Sequence, residues 1–380
     1  MKILFVTDLY PLNNEKIAKA LYYFVEEWKK QGNTVEVIRC NFILNTKIRG
    51  RKIVKEKIYN ENGIKIYNLN FHTPFLFNVY NKLPKDFSLK NYDVIISHMP
   101  CGAMMANKLL KRDKIKYVCA VHCSDICVLT KKYYSIYFKK ELEKAYINAD
   151  LISARSPVLK TKLSELIPRV KEKIFIAYSG IDDELVDNID EYNAKSLDFI
   201  YNKELNIVVI ASLIKRKNVD IIIKGLAELK DKNFFLRIIG DGPEKSNLQK
   251  LTKELGLEKN IKFIGQITRK EVFNHLKTSS IFVLLSENET FGLSYLEAMA
   301  TQNIVIALKN DGIDGILKDE ENSFLISNNP KELKECIEKI LDLKNIELEK
   351  LYNNIKETIK SLKSSNAAYN YLKNITTNNN

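Results

Sequence analysis

Residues 281–301 read IFVLLSENETFGLSYLEAMAT, and the fold can be argued outward from them. An apolar run ends at Leu285, a polar loop follows, and a helical pattern starts near Gly292 and continues to Ala300. This order is typical of a buried strand that leads into a helix. In an open α/β sheet, ligands bind at the carboxyl ends of the strands, where helix N-termini offer free amides and a positive dipole end. The stretch therefore predicts one wall of a site for an anion such as phosphate.

Two carboxylates accompany this predicted phosphate site, Glu289 in the loop and Glu297 about one turn inside the helix. Gly292 lets the backbone come close to a phosphate, because glycine has no Cβ. A carboxylate beside a phosphate is repelled by it and needs another partner, and sugar hydroxyls are such partners. Glu289 can accept hydrogen bonds from a sugar, and Glu297 can hold a diol, as an acidic residue holds ribose in dinucleotide folds. The alternative is that both glutamates are solvated side chains at a helix start.

Strands and helices alternate on both sides of this stretch. In the second half we expect strands at 207–210, 235–239, 261–264, 281–285 and 304–307, and helices at 219–230, 244–255, 269–278, 292–300 and through 330–372. In the first half we expect a helix at 15–31 and strands at 2–7, 35–38, 64–67, 94–97, 117–121, 151–154 and 174–177. Such alternation predicts a parallel, doubly wound sheet in each half.

The length of 380 residues supports two domains, since single cores stop growing near about 250–300 residues. An acidic segment at 181–198 interrupts the alternation, and we interpret it as the connection. We expect a first domain at 1–185, a linker at 186–203, a second domain at 204–358, a helix at about 360–375 that packs back on the first domain, and a disordered tail at 374–380.

The composition, 45% hydrophobic and 28% charged, excludes a disordered or fibrous chain. No apolar run is long enough to span a membrane, and the apolar run at the N-terminus is too short for a signal peptide. We therefore expect a cytosolic protein whose six cysteines are free thiols. The Cys and His residues between 98 and 127 could form a zinc site on paper, but alternate side chains of a strand point to opposite faces, so we expect no metal.

The net charge of +13 is concentrated in the first half of the chain. Residues 1–200 contain 33 Lys and Arg against 23 Asp and Glu, whereas residues 201–360 contain 25 against 24. The densest basic runs are 47–57, 111–116 and 131–140. They are either several solvated faces or a surface that rests on anionic lipid headgroups, as a peripheral membrane protein would. No zinc-finger, homeodomain or RNA-binding motif is present, so nucleic acid is not an expected partner.

The motifs resemble those of the retaining, sugar-nucleotide-dependent glycosyltransferases of the GT-B fold, family four (glycosyl transferases group 1), of the bacterial surface-polysaccharide type. Glu289 and Glu297 match the E-x7-E spacing of that family. The other sequence motifs and positions that match the family are Gly240-Asp241-Gly242-Pro243-Glu244, Phe263-Ile264-Gly265, Asp311-Gly312-Ile313, Tyr10-Pro11, Gly32, His122-x-x-Asp125, Ala149-Asp150 and Gly180-Ile181-Asp182. The resemblance covers nearly the whole chain and implies an α/β GT-B fold, with two Rossmann-like domains facing a central cleft.

The resemblance also implies roles for individual residues. Glu297 would bind the nucleotide ribose, Glu289 the donor sugar, and Lys217 the diphosphate, where negative charge grows in the transition state. His122 would lie across the cleft near the sugar. The other implied donor-binding residues are Gly240, Gly242, Gly265, Phe291, Gly292 and Leu293. The alternatives are a surface lysine at a helix start for Lys217 and a packed histidine for His122.

The chain departs from the family pattern at several positions. Ser212 stands where the family has an arginine, and either Lys215 or Arg216 substitutes for it. The Gly-Gly loop after the first strand is replaced by residues 13–15, Asn-Asn-Glu. Gly315, Gln302 and Ile304 also replace common family residues. These changes bear on the substrate rather than on the fold.

We therefore predict a hexosyltransferase-type glycosyltransferase that moves a sugar from a nucleoside-diphosphate sugar, UDP-sugar favoured, to a saccharide or polyprenyl-diphosphate-linked acceptor with retention. No cofactor is expected, because the sequence has no Asp-x-Asp metal pair. It also has no Gly-x-Gly-x-x-Gly after the first strand, which disfavours a nicotinamide dehydrogenase. Two alternatives stay open, a sugar-nucleotide 2-epimerase on the same fold and a non-catalytic protein that binds a sugar nucleotide or a partner enzyme.

Overall fold

The computed structural model describes residues 1–10, 19–42, 56–71, 79–132, 134–202, 205–229, 233–313 and 315–377. The chain divides into two compact units, Met1–Gly180 with Ser364–Asn380, and Ile181–Lys363. Each unit is an α/β body around one mainly parallel sheet. The predicted fold class is therefore confirmed.

The first unit contains an eight-stranded sheet. Its strands are β1 (Lys2–Thr7), β2 (Thr34–Phe42), β3 (Ile58–Glu61), β4 (Ile64–Phe71), β5 (Val94–Ser97), β6 (Lys116–Val121), β7 (Leu151–Ala154) and β8 (Ile174–Ile176). The strand order is β3-β4-β2-β1-β5-β6-β7-β8, and β3 pairs with β4 antiparallel whereas the other described pairs are parallel. The order reverses at β1, so the crevice of a doubly wound sheet opens between β1 and β5.

Helices cover both faces of this sheet. They are α1 (Lys19–Lys30), α2 (Pro100–Leu109), α3 (Cys123–Thr130), α4 (Ile136–Asn148), α5 (Pro157–Leu166) and, from the end of the chain, α14 (Ser364–Thr377). Alternate residues of β1 enter two cores: Phe5 packs in the core that includes Trp28 and Tyr371, and Leu4 packs in the opposite one. The helix α14 belongs to this unit, since Trp28 Nε1 donates to the Ala368 carbonyl at 3.1 Å.

The second unit contains a six-stranded, wholly parallel sheet. Its strands are β9 (Leu205–Ile210), β10 (Phe234–Ile239), β11 (Ile261–Gly265), β12 (Ile281–Leu284), β13 (Ile304–Leu308) and β14 (Phe324–Ile326), in the order β11-β10-β9-β12-β13-β14. Its helices are α6 (Asp183–Asp187), α7 (Asn193–Asn202), α8 (Val219–Ala227), α9 (Lys245–Glu254), α10 (Arg269–Lys277), α11 (Leu293–Ala300), α12 (Pro330–Asp342) and α13 (Asn345–Lys360). Strands covered on both faces read as continuous apolar runs, which is why the sequence revealed most of them.

The linker expected at 186–203 is instead helical and packed within the second unit. It comprises the end of α6, a 3₁₀ turn at Ile189–Tyr192 and α7 up to Asn202. Val186 and Ile189 are buried at helical spacing, which the local density of acidic residues concealed. The acids lie outside, where Asp187 and Asp190 pair with lysines of the same unit.

The C-terminal segment also differs from expectation. Residues 374–377 continue α14, with Ile375 buried at 2% exposure, whereas residues 378–380 lie outside the described part of the chain. Two short strands, β3 and β14, were not predicted. No helix within the described ranges combines the length and apolar character needed to cross a membrane.

Candidate active site

The site is built at the carboxyl edge of the second sheet, between β9 and β12. These strands are neighbours, with Ile207 beside Ile281. The strand order reverses between them, because β10 and β11 lie on one side and β13 and β14 on the other. The helices that follow two such strands lie on opposite faces of the sheet, which opens a crevice. Segments 211–218 and 285–292, which follow β9 and β12, line this crevice.

Glu289 is the centre of a cluster of cationic and hydroxyl groups. Its Oε1 forms an ion pair with Lys217 Nζ, accepts a hydrogen bond from Ser286 Oγ at 2.7 Å and lies 3.4 Å from a guanidinium nitrogen of Arg216. The side chains of Lys217 and Glu289 are only 11% and 16% exposed. Burial alone would raise the pKa of the Glu289 carboxyl, but Lys217, Ser286 and Arg216 together hold the pKa below its usual value. Glu289 is therefore a fixed anion at neutral pH.

The three consecutive cations of residues 215–217 do not point the same way. They form one 3₁₀ turn that ends at Asn218, which adopts φ 51° and donates from Nδ2 to the Leu285 carbonyl at 2.8 Å. Arg216 reaches the loop after β12, where it donates to the Glu287 carbonyl at 2.9 Å. Lys215 instead lines a groove beside α8 and α9. The structure thus brings Arg216 and Lys217 to Glu289 and directs Lys215 elsewhere.

Asp311, after β13, holds the loop that carries Glu289. Its two carboxylate oxygens accept hydrogen bonds from the backbone amides of Asn288 at 2.6 Å and Glu289 at 2.7 Å, and one of them also accepts from Gly312 at 2.6 Å. In the sequence, Asp311-Gly312 matches a family motif without a role of its own. The only indication of this role in the sequence is that an acidic residue follows the end of a neighbouring strand.

The start of α11 follows the same loop. Gly292 adopts φ 80°, and a Cβ there would collide with the Tyr295 ring, so glycine is required at this turn. Because α11 follows β12, its N-terminus lies at the carboxyl edge of the sheet. Its first amides point out of the helix toward that edge, since the first amides of a helix have no partner within it. Phe291 is buried and Leu293 begins the helix. Glu297 lies one turn further and pairs with Arg269 of α10 at 2.9 Å, a partner that the sequence analysis did not predict.

The glycines predicted at the donor site shape its backbone. A Cβ at Gly240, which has φ 135°, would collide with the Ala211 carbonyl, so glycine allows the turn after β10 to pack on the segment after β9. Gly242 packs in the same way on Leu213, and Gly265 accepts a hydrogen bond from the Gly240 amide at 2.9 Å. Ser212 is exposed in this segment.

His122 lies in the first unit, directly after β6. Its Nε2 is 3.2 Å from Nδ1 of His98, whose Nε2 is 3.4 Å from the Tyr371 hydroxyl. Tyr371 in turn shares a 2.7 Å hydrogen bond with Ser153 Oγ. A chain of three side chains, Ser153, Tyr371 and His98, therefore orients His122, and it starts on β7 and α14. The sequence alone gives no sign that His98 and Tyr371 belong to this group.

Burial and a buried cation keep both imidazoles neutral. Arg155 is 1% exposed and stacks over the Phe24 ring at 4.6 Å. Burial, with help from Arg155, lowers the pKa of His122 to about 3, and burial, His122 and Arg155 lower that of His98 as well. Asp125 accepts a hydrogen bond from the His122 amide at 3.0 Å, and burial raises its pKa to about 7. At neutral pH His122 can therefore donate or accept a hydrogen bond but carries no charge.

Several sequence predictions fall on residues that the structure does not describe. They are the loop at 13–15, Pro11 and most of the basic run at 47–57. In the remaining ranges, no group of three or more His, Cys, Asp or Glu side chains is arranged to hold a metal ion.

Comparisons with known proteins show the family to which this chain is related. A family model described as Glycosyltransferase Family 4 matches residues 17–185, and one described as Glycosyl transferases group 1 matches residues 193–361. An uncharacterized glycosyltransferase of Methanocaldococcus jannaschii is 30% identical over 279 residues, which cover 72% of this chain and 71% of the relative. The N-acetyl-alpha-D-glucosaminyl L-malate synthase of Bacillus anthracis is 26% identical over 283 residues, which cover 73% and 72%.

Among solved structures, Anabaena HepE in complex with UDP superposes with a TM-score of 0.75 at 17% identity, over 99% of this chain and 100% of that one. Two Rossmann-like units in one chain are the architecture of the GT-B fold. The chain belongs to the group 1 glycosyltransferases. It is a transferase that acts on sugars.

Proposed function

We propose that the enzyme transfers a hexose or acetamido-hexose from a UDP-sugar, with retention of anomeric configuration, to a saccharide or lipid-linked acceptor in bacterial cell-surface polysaccharide synthesis. The observation that carries the proposal is the cluster of Lys217, Arg216 and Glu289 beside the N-terminus of α11. The nucleotide in the HepE complexes, UDP or UDP-glucose, supports the donor. A relative named alpha-monoglucosyldiacylglycerol synthase, from Acholeplasma laidlawii, supports a lipid-borne acceptor.

In the proposed reaction the bond between the anomeric carbon and the diphosphate oxygen breaks, and the acceptor oxygen bonds to the same carbon on the same face. The departing phosphate oxygen takes the proton of the acceptor hydroxyl, so no protein nucleophile and no metal are needed. Lys217 and the amides of α11 balance the charge that develops on the diphosphate. Glu289 and Glu297 hold the sugar and the ribose through their hydroxyls.

Arg216 supplies the second cation in this proposal, in place of the arginine that Ser212 lacks. Its guanidinium reaches Glu289 and the Glu287 carbonyl, whereas Lys215 faces a different groove. A planar guanidinium can also contact two phosphate oxygens at once. This geometry favours Arg216 over Lys215 for the role that the sequence left open between them.

Nucleoside diphosphate release from a panel of UDP-, GDP- and ADP-sugars tests the proposal, with a lipid-linked oligosaccharide and a soluble saccharide as acceptors. We expect release with a UDP-sugar and an α-linked product from an α-linked donor, established by NMR of the anomeric proton. An inverted product would contradict retention. A sugar with changed configuration at C2, whether free or still bound to the nucleotide, would favour the epimerase, and no release with any donor would sink the proposal.

A further inference from the structure

The segment 131–140 of the first unit, KKYYSIYFKK, carries four lysines and no acid. Ile136, the first residue of α4, is 72% exposed and Tyr137 is 41% exposed. Within the described ranges none of the four lysines forms an ion pair with a carboxylate. The 131–140 patch consists of Lys131, Lys132, Ile136, Tyr137, Lys139 and Lys140. It combines an exposed aliphatic side chain, an amphipathic aromatic one and unpaired positive charge.

The direction of α4 shows which edge of the sheet bears the patch. Asn148, the last residue of α4, lies two residues before Asp150, which bonds in both directions with Tyr117 near the start of β6. The C-terminal end of α4 is therefore at the amino edge of the parallel sheet. A helix of 13 residues spans roughly 20 Å, so Ile136 lies toward the carboxyl edge. His122, directly after β6, lies at that same edge.

The basic run at 111–116 is at the opposite edge. It follows α2 and leads into β6, which begins at Lys116. Two of the basic runs in the first half therefore face different ways, and one flat surface cannot contact both closely. Charges farther away than the Debye length, about 8–10 Å at physiological salt, are largely screened.

We propose that the 131–140 patch is the surface through which the enzyme rests on an anionic lipid bilayer. Lysines attract acidic headgroups, while Ile136 and Tyr137 enter the boundary between headgroups and acyl chains, where aromatic side chains with a polar end are favoured. The patch would bring the edge that bears His122 close to the membrane. The inference rests on the proposed transfer to a lipid-linked acceptor, since such an acceptor would be presented from this plane.

Ile346 provides the contrast. It is also 72% exposed and is the second residue of a helix, α13, but its neighbours in the first turn and just beyond are Glu347 and Glu349. An aliphatic side chain beside acids would not be drawn to an acidic bilayer. Exposure of an isoleucine alone therefore does not define the surface, and the lysines are the distinguishing feature.

Co-sedimentation of the full chain with vesicles tests the inference, comparing phosphatidylcholine mixed with phosphatidylglycerol against phosphatidylcholine alone. Each basic side chain near an acidic bilayer contributes about fivefold in affinity. The triple variant K131Q/K132Q/K140Q should therefore bind mixed vesicles roughly a hundredfold more weakly. Its matched control K111Q/R112Q/K114Q removes the same charge at the other edge and should bind less than about threefold more weakly. Ile136→Ser should weaken binding severalfold and Ile346→Ser should not.

Equal weakening by the two triple variants would overturn the inference, because the effect would then follow net charge alone. Equal binding to both vesicle types, or none by the native chain, would also overturn it. Tighter binding to single-stranded DNA that the same triple variant abolishes would reassign the patch to another polyanion. Donor turnover with a soluble acceptor is measured on the same variants, so that the membrane inference is tested separately from the proposed sugar transfer. If the patch only binds the membrane, this turnover should not change.

Discussion

The carboxylate of Glu289 contacts groups from two segments, residues 216–217 and Ser286, and each contact has a different chemical role. Lys217 is even more buried than Glu289, so its charge is little screened, whereas the Arg216 side chain is 42% exposed. The sequence identified Glu289 and Lys217 because each follows a strand end at a family spacing. It could not choose between Lys215 and Arg216, because the direction of a side chain in a 3₁₀ turn depends on what packs around it.

Substitution of the three cations should separate their contributions. We expect Lys217→Ala to lower kcat by about 10²–10³-fold, since it removes a buried charge that balances the leaving diphosphate. Arg216→Ala should cost about tenfold, because its charge is more exposed and more screened. Lys215→Ala, from the same turn, should stay within about twofold. Steady-state kinetics with the active donor measures all three, and a loss in Lys215→Ala as large as in Arg216→Ala would return the role to Lys215.

The chain has four histidines, which makes their titration readable by NMR. We expect the ring signals of His98 and His122 to show no imidazole protonation step between pH 8 and pH 5, because burial holds both pKa values far below 6.5. Assignment uses His98→Asn and His122→Asn. Titration of all four signals near pH 6.5 would contradict the buried chain from Ser153 to His122.

The same pKa shifts predict a stability change with a definite sign. The unfolded histidines take up protons below about pH 6.5 and the folded ones do not, so both groups reduce the free energy of unfolding as pH falls from 6.5 toward 3. Asp125 acts oppositely between about pH 7 and 3.8, because its raised pKa makes the folded state bind the proton first. Urea unfolding of His122→Asn against the native chain should show a smaller loss on acidification in the variant.

At the scale of elements, the loops after β12 and β13 act together. Asp311 binds two amides of the loop that carries Glu289 and so couples that loop to a strand with no catalytic residue of its own. The sequence predicted the strands themselves well, with identical bounds at 2–7, 94–97 and 151–154. It missed β3, a polar edge strand, and β14, which has three residues and too short a pattern to read.

Removal of the Asp311 carboxylate should loosen this loop. We expect Asp311→Ala to lower the free energy of unfolding by about 1–3 kcal/mol, because it leaves partly buried amides without an acceptor. It should also weaken UDP binding by at least tenfold. Calorimetric titration and urea unfolding measure the two effects. Asp319→Ala is the control, since Asp319 accepts from the Leu325 amide at 2.8 Å in the same unit but is exposed. Unchanged UDP binding in Asp311→Ala would contradict the coupling.

At the scale of the whole molecule, the chain leaves the first unit at Gly180 and returns to it at Ser364. The returning helix α14 closes the core around Trp28, the single tryptophan of the protein. Ser153 and Tyr371 are in contact across 218 residues of sequence, and Trp28 and Ala368 across 340. The first unit is therefore completed only by the last residues of the chain.

Because Trp28 lies in the first unit, its fluorescence reports unfolding there, whereas far-UV circular dichroism reports both units. Tyr371→Ala should lower the free energy of unfolding of the first unit by about 3–5 kcal/mol, the cost of truncating a large buried side chain. The urea midpoint of the fluorescence signal should fall accordingly. Tyr352→Ala, a like truncation on α13 of the second unit, should shift the dichroism signal and leave the fluorescence midpoint in place. Equal shifts of both signals in both variants would contradict separate unfolding of the units.

The sequence by itself determined the alternation of strands and helices, the turns that require glycine and the positions of Glu289, Lys217 and Glu297. The alternation and the turns follow from local hydrophobic periodicity and backbone sterics, which act over a few residues, whereas the choice of these three side chains rests on the family resemblance. Tertiary structure decided the rest: Arg216 beside Glu289, Asp311 beneath the loop, the chain from Ser153 to His122, and the burial of the segment that looked like a linker. Those contacts join residues far apart in sequence, and their burial sets which charges persist, so they exist only once both sheets are packed.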